Sequence, residues 1–138
     1  MNRLHILLTV MVVMLAAPLF GAHEALAGLV TGTALNDTLY GTEGEDNLKG
    51  RAGDDYLDAG GGKDTIEGGR GNDQIIPGEG EDVVLAGAGN DRIYARDTAS
   101  VDVIDCGAGF DQVETIHRDD ITKSNCEKSL GPRKGNID

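Results

Sequence analysis

The chain is predicted to be all-β: a right-handed parallel β-roll, a two-sheet solenoid built from nine-residue repeats. Three observations predict it. Asp37, Asp46, Asp55, Asp64, Asp73, Asp82 and Asp91 follow one another at intervals of nine, and the beat resumes at Asp102 and Asp111 after a skip of two. An aliphatic residue stands two places after every one of them: Leu39, Leu48, Leu57, Ile66, Ile75, Val84, Ile93, Ile104 and Val113. Glycine stands two places before most of them, at Gly44, Gly53, Gly62, Gly71, Gly80, Gly89 and Gly109. A fixed period sustained this long is the signature of stacked supersecondary units, each unable to bury its apolar face alone.

In chain order, residues 1–27 read as a secretory signal peptide. Arg3 precedes a nearly unbroken apolar run over 6–20, and Ala25-Leu26-Ala27 has the small-x-small form of a processing site. About 15 apolar residues fall short of the ~20 that a spanning helix needs, so insertion of the mature chain in a membrane is not expected. Residues 28–114 form the repeat unit and 115–138 a C-terminal cap or tail.

Aligned on aspartate, the rows are GTALNDTLY (32–40), GTEGEDNLK (41–49), GRAGDDYLD (50–58), AGGGKDTIE (59–67), GGRGNDQII (68–76), PGEGEDVVL (77–85), AGAGNDRIY (86–94), a broken row ARDTASVDVID (95–105), and CGAGFDQVE (106–114). The three residues centred on position 8 are β-competent and alternate out, in, out. Each row is therefore a turn of about six residues followed by a three-residue strand, and so short a strand needs neighbours for hydrogen bonds and burial. Two rows per coil place odd rows in one sheet and even rows in the other, with the position-8 aliphatics between them.

The rows resemble the GGxGxDxUx nonapeptide of the repeat-in-toxin family, also called hemolysin-type calcium-binding repeats, with 68–75 (GGRGNDQI) the best single match. The resemblance implies Ca²⁺ held between turns stacked on the same edge, by the position-6 carboxylates and by carbonyls of the glycine-rich turns. One edge would use Asp37, Asp55, Asp73, Asp91 and Asp111, the other Asp46, Asp64, Asp82 and Asp102. Gly44, Gly53, Gly62, Gly71, Gly80 and Gly89 would supply carbonyls, and Asn36, Asp54, Asn72 and Asn90 lie in the same turns as helpers of lower rank. Pairing rows along each edge gives about five to seven ions. The first row departs from the pattern at Thr33 and Leu35, as a worn terminal cap would, and the insertion at 95–101 puts the Asp102 site in question.

Cys106 opens the last regular row and Cys126 follows twenty residues on; in a chain addressed to an oxidising space a disulfide between them is the default expectation, worth about 3 kcal/mol. Asp119-Asp120-Ile121 resembles a degenerate tenth turn. Tyr40, Ile76 and Tyr94 at outward position 9 are expected either to pack across strands or to form an apolar strip for a cell-surface polymer or for self-association.

The charge narrows the function. With 12 basic and 24 acidic residues the chain carries −12, and removing Arg3 and Glu24 with the leader leaves 11 against 23, the same net value. A nucleic-acid partner is not expected, for no basic stripe exists to meet phosphates. Catalysis is not expected either: after the leader only His117 remains, and no G-x-S-x-G or H-E-x-x-H string occurs. Aspartates one strand spacing apart, roughly 5 Å, repel by about 3 kcal/mol per pair. A divalent ion reverses that sign, so residues 32–114 are expected to fold only with Ca²⁺, outside the cell, at about 10⁻⁴–10⁻³ M per site. A secreted calcium-binding module is the leading expectation; a structural or adhesive surface protein stiffened by Ca²⁺ is the alternative.

Overall fold

The computed structural model describes residues 28–96, 100–115, 121–123, 125–126 and 128–129; the leader expected over 1–27 lies outside them, as do Asp119 and Asp120. Among the described residues the chain forms twelve strands and no helix. In order they are β1 Gly28–Thr31, β2 Thr38–Thr42, β3 Asp46–Ala52, β4 Tyr56–Gly60, β5 Thr65–Arg70, β6 Gln74–Ile76, β7 Val83–Ala88, β8 Arg92–Ala95, β9 Val103–Asp105, β10 Gln112–Thr115, β11 Ile121–Thr122 and β12 Lys128–Ser129. No described segment is a helix long and apolar enough to cross a membrane.

Odd- and even-numbered strands separate into two sheets, ordered β1-β3-β5-β7-β9-β11 and β12-β10-β8-β6-β4-β2, and every pairing is parallel. The register is the repeat itself: Leu39 pairs with Leu57 and Leu57 with Ile75, while Leu48 pairs with Ile66 and Ile66 with Val84. Each position-8 aliphatic is buried between the sheets, as the alternation requires, since successive side chains of a strand face opposite ways. The core has a second component as well. Ala59, Ala86, Ala95 and Cys106, all at position 1 of their rows, are fully buried beside the aliphatics.

Strand length departs from the expected three residues. β3 spans seven residues, and β5 and β7 span six each. They run on through the first residues of the following row, pairing Arg51 with Gly69 and Gly69 with Gly87. Glycine at these places lets one main chain lie close on the next, so the ladder continues where a bulkier turn would have ended it.

The ends add strands that the repeat count does not contain. β1 precedes the first row and pairs Gly28 with Asp46 and Val30 with Leu48, so it is one more half-coil that lacks the aspartate. Beyond the last regular row, β11 pairs Ile121 with Val103 and β12 pairs Lys128 with Gln112. The segment past 114 thus returns to the stack, and Cys106 and Cys126 are joined by a disulfide with Cα atoms 5.3 Å apart. Asn125 Nδ2 donates to Asp105 Oδ1 at 2.7 Å and to the Gly107 carbonyl at 3.0 Å, fixing the same end.

On the outer face of the β2 sheet the apolar strip is interrupted, because Asp58 stands in register beside Tyr40 and precedes Ile76. Local ring packing forms instead, across strands at Tyr40 and along the chain at Tyr94. The Tyr40 and Tyr56 rings lie 6.0 Å apart, and the Arg96 guanidinium sits 5.3 Å from the centre of the Tyr94 ring.

Candidate metal centre

All nine aspartates fall in register along the two edges, and eight of them are buried, from Asp46 to Asp111; Asp37, in the first coil, is half-buried. A buried carboxylate needs partners for both oxygens. Oδ1 finds one in the backbone of the preceding coil. On one edge Asp37, Asp55, Asp73 and Asp91 donate their N–H to Oδ1 of Asp55, Asp73, Asp91 and Asp111 at 2.8–2.9 Å. On the other, Gly28, Asp46, Asp64 and Asp82 donate to Oδ1 of Asp46, Asp64, Asp82 and Asp102 at 2.7–3.1 Å. The aspartate is therefore a structural acceptor between coils before any ion is considered, a role that the spacing alone does not reveal.

Oδ2 is the other half of the site. In Asp55, Asp64, Asp73, Asp91 and Asp111 this oxygen is buried without a hydrogen-bond partner. Beside it lies a carbonyl from position 1 of the next coil on the same edge. A Cβ placed on Gly68 would lie 2.5 Å from Asp73 Oδ2 and 2.4 Å from the Ala86 carbonyl. On Gly50 it would lie 2.4 Å from Asp55 Oδ2 and 2.5 Å from the Gly68 carbonyl. Carboxylate and carbonyl thus converge on a small space that glycine leaves open.

The position-4 glycines named from the sequence form their own column. The Gly53, Gly62 and Gly71 carbonyls point along the stack at Gly71, Gly80 and Gly89, and the N–H groups of Gly53, Gly62, Gly71 and Gly89 donate to position-3 carbonyls of the next coil at 2.8–2.9 Å. Gly44, in the first of these turns, is not among the positive-φ glycines, whereas Gly53, Gly62, Gly71, Gly80, Gly89 and Gly109 are. The structure thus adds the position-1 residues Gly68 and Ala86 to the oxygen set. Their signal in the sequence was only that position 1 is always small or proline.

The helpers at position 5 make a ladder of a different kind. Asp54 N–H donates to Asn36 Oδ1, Asn72 N–H to Asp54 Oδ1, Asn90 N–H to Asn72 Oδ1 and Phe110 N–H to Asn90 Oδ1, at 2.7–2.9 Å on the exposed rim. They hold turns to turns rather than lining the buried space. The broken row regains register: Asp102 is fully buried, Asp82 N–H reaches its Oδ1, and Gly80 N–H donates to Ser100 Oγ at 3.2 Å where regular turns use a carbonyl.

The donor set suits a hard cation. Carboxylate and main-chain carbonyl oxygens line the space, which is the chemistry Ca²⁺ takes, with ligand number and flexibility beyond what Mg²⁺ accepts. No group of three acidic, histidine or cysteine side chains stands together among the described residues. An ion between coils would be held by the carboxylates of Asp55, Asp64, Asp73, Asp91 and Asp111, with carbonyls supplying the remaining ligands.

The metal-free carboxylates are held as weak acids. Burial is the first cause in each: it strips water from Asp64, Asp73 and Asp91 and pushes each up to about 6 from 3.8. Inter-coil N–H bonds oppose that rise, and neighbouring aspartates add to it: Asp46 beside Asp64, Asp91 and Asp55 beside Asp73, Asp111 beside Asp91. Asp55 is raised for the same first reason. A folded-state value above the unfolded one gives stability that is complete below about 3.8 and lost as the pH climbs through about 6. Stripped of calcium by resin, the protein is therefore expected to gain β signal in circular dichroism on acidification from pH ~7 to ~4. Calcium half-saturation is expected to rise as the pH drops below 6, since protons and ions compete for one oxygen. A flat metal-free profile over this range would contradict the burial.

Position along the ladder sets the cost of losing a carboxylate. Asp73→Ala leaves Asp55 N–H without its acceptor and removes a buried ligand. The unmet N–H alone is worth about 1–3 kcal/mol. Asp37→Ala sits in the half-buried first coil and is expected to cost well under half as much in a melt at saturating calcium. Asp73→Asn should keep the N–H bond and lose the ion, which separates the two contributions.

Stacked turns that present oxygen sites on both edges of two parallel sheets define the class, a cation-binding β-solenoid. The family model for the RTX calcium-binding nonapeptide repeat, four copies long, matches residues 31–66, 58–93 and 78–113, and the chain belongs to that family of calcium-binding repeat proteins. No curated protein and no solved structure matches it.

Proposed function

We propose that the chain is a secreted calcium-binding module that stays unfolded where calcium is scarce and assembles its roll when Ca²⁺ enters between the turns. One observation carries the proposal: buried carboxylate oxygens of Asp55, Asp64, Asp73, Asp91 and Asp111 repeat coil after coil without a protein partner. Burying a charge in this way is costly unless an ion answers it. The bound ion would supply charge neutralisation and ligation, with no reaction attached, and the chain is not proposed as an enzyme. Export is supported by the apolar run at 6–20, the Ala25-Leu26-Ala27 string and the Cys106–Cys126 bridge, which suits an oxidising compartment.

A titration by calorimetry tests the binding, with about five to seven ions expected at about 10⁻⁴–10⁻³ M each and a heat of coupled folding. Absence of binding at millimolar Ca²⁺ would sink the reading, and equal performance by Mg²⁺ would contradict the ligand chemistry. The alternative is a surface or matrix protein stiffened by Ca²⁺. Tyr40, 54% exposed beside Tyr56 on the outer sheet face, is the observation that favours it, as an aromatic contact for a polymer or another copy. Fractionation into medium or envelope distinguishes the two.

A further inference from the structure

The first two rows differ from the regular rows that follow at one place in the nonapeptide, and the difference falls on the oxygen that would hold the ion. Position 2 is Gly60, Gly69, Gly78, Gly87 and Gly107 in the later regular rows, each with positive φ, and even Arg51 takes φ 81 there. The first two rows carry Thr33 and Thr42 instead, neither of them in that region. Thr33 donates both its N–H and its hydroxyl to Asp37 Oδ2, at 2.6 and 2.9 Å. Thr42 does the same to Asp46 Oδ2, the hydroxyl at 2.9 Å. Each hydroxyl in turn accepts an N–H from two residues on, Leu35 at 3.1 Å and Gly44 at 3.2 Å. In Asp55, Asp64, Asp73, Asp91 and Asp111 the equivalent oxygen faces no such donors.

An ion needs lone pairs around it, and in these two turns hydrogens point at the carboxylate instead. The hydroxyl can rotate, but the N–H cannot turn away unless the residue enters the left-handed region, which a β-branched threonine resists. We propose that Thr33 and Thr42 are built-in substitutes for the metal. They close the first two turns with protein hydrogen bonds, so that the calcium ladder begins at Asp55 and Asp64. The N-terminal coil is then complete without an ion and serves as the template on which the calcium-dependent coils stack, because a solenoid propagates from neighbour to neighbour. This rests on the calcium-binding reading above and deepens it by fixing where metal stops.

The test is a calcium titration of the full chain by calorimetry, repeated with Tb³⁺ luminescence, for wild type, Asp37→Asn, Asp46→Asn, Asp73→Asn and the double variant Thr33→Gly/Thr42→Gly. Asp37→Asn and Asp46→Asn are expected to leave the ion count unchanged, while Asp73→Asn lowers it. The double glycine variant is expected to take up additional ions and to need more calcium to reach half folding. Loss of an ion in Asp37→Asn or Asp46→Asn overturns the substitution while leaving the calcium reading intact. A wild type that binds none overturns both. The two asparagine variants decide the matter even if the glycine chain does not fold.

Discussion

Chelating calcium is expected to abolish the β signal of this protein in far-ultraviolet circular dichroism, and returning it to about 10 mM is expected to restore the signal in one cooperative step. At that concentration each site of about 10⁻⁴–10⁻³ M contributes about 1.4–2.7 kcal/mol to folding. Several sites together reach the ~5–15 kcal/mol that separates a whole domain from its unfolded state. What remains without the ions is a thin core, one aliphatic per half-coil with small residues such as Ala59 and Ala86, set against buried carboxylates from Asp46 to Asp111. The chain at neutral pH also carries −12, which opposes compaction. A spectrum and a protease pattern that are the same in chelator and in calcium would refute this expectation.

Gly80→Ala is expected to break the stack. A Cβ on Gly80 would lie 1.6 Å from the Gly62 carbonyl oxygen and 2.7 Å from its carbon, both backbone atoms of the coil beneath, and Gly80 has φ +125. Neither atom can yield without separating the coils, so a cost above about 4 kcal/mol is expected, in the range reserved for strained or overpacked sites. Gly61→Ala is the control. Its nearest neighbour is Glu43 Oε2 at 3.2 Å, the free end of a side chain, and its φ is ordinary. It is expected to change stability by less than about 1 kcal/mol, in either direction. Thermal melts at saturating calcium decide it; equal midpoints for the two variants would mean that the coils are not in contact at Gly62.

The partition into two sheets was legible because a period of nine with two rows per coil leaves the position-8 aliphatics no other place to go. Leu48, Ile66 and Val84 stack as their spacing demands. The edges were legible for the same reason, down to Asp102, whose row was doubtful by its length but returns to register through Ser100. What stayed hidden depends on the orientation of peptide groups between coils. The splitting of each carboxylate into an Oδ1 bound by the preceding coil and an Oδ2 left open follows from which N–H points along the stack, and no residue type announces that. The Ala86 and Gly68 carbonyls are invisible in the sequence because a main-chain oxygen carries no sequence mark. β1 is not legible in the repeat because Gly28 stands where the other rows have aspartate, although Val30 keeps the aliphatic place. The continuous strip of Tyr40, Ile76 and Tyr94 did not form, since Asp58 interrupts it.

The two ladders stand on opposite edges yet share one aliphatic core, to which Leu57 and Ile75 contribute from one sheet and Leu48 and Ile66 from the other. If calcium drives folding as proposed, occupancy on one side is expected to tighten binding on the other, and by linkage the favour is returned in equal measure. Such a titration is expected to rise steeply, so that on the proposed reading external calcium acts more as a threshold than as a gradual gauge.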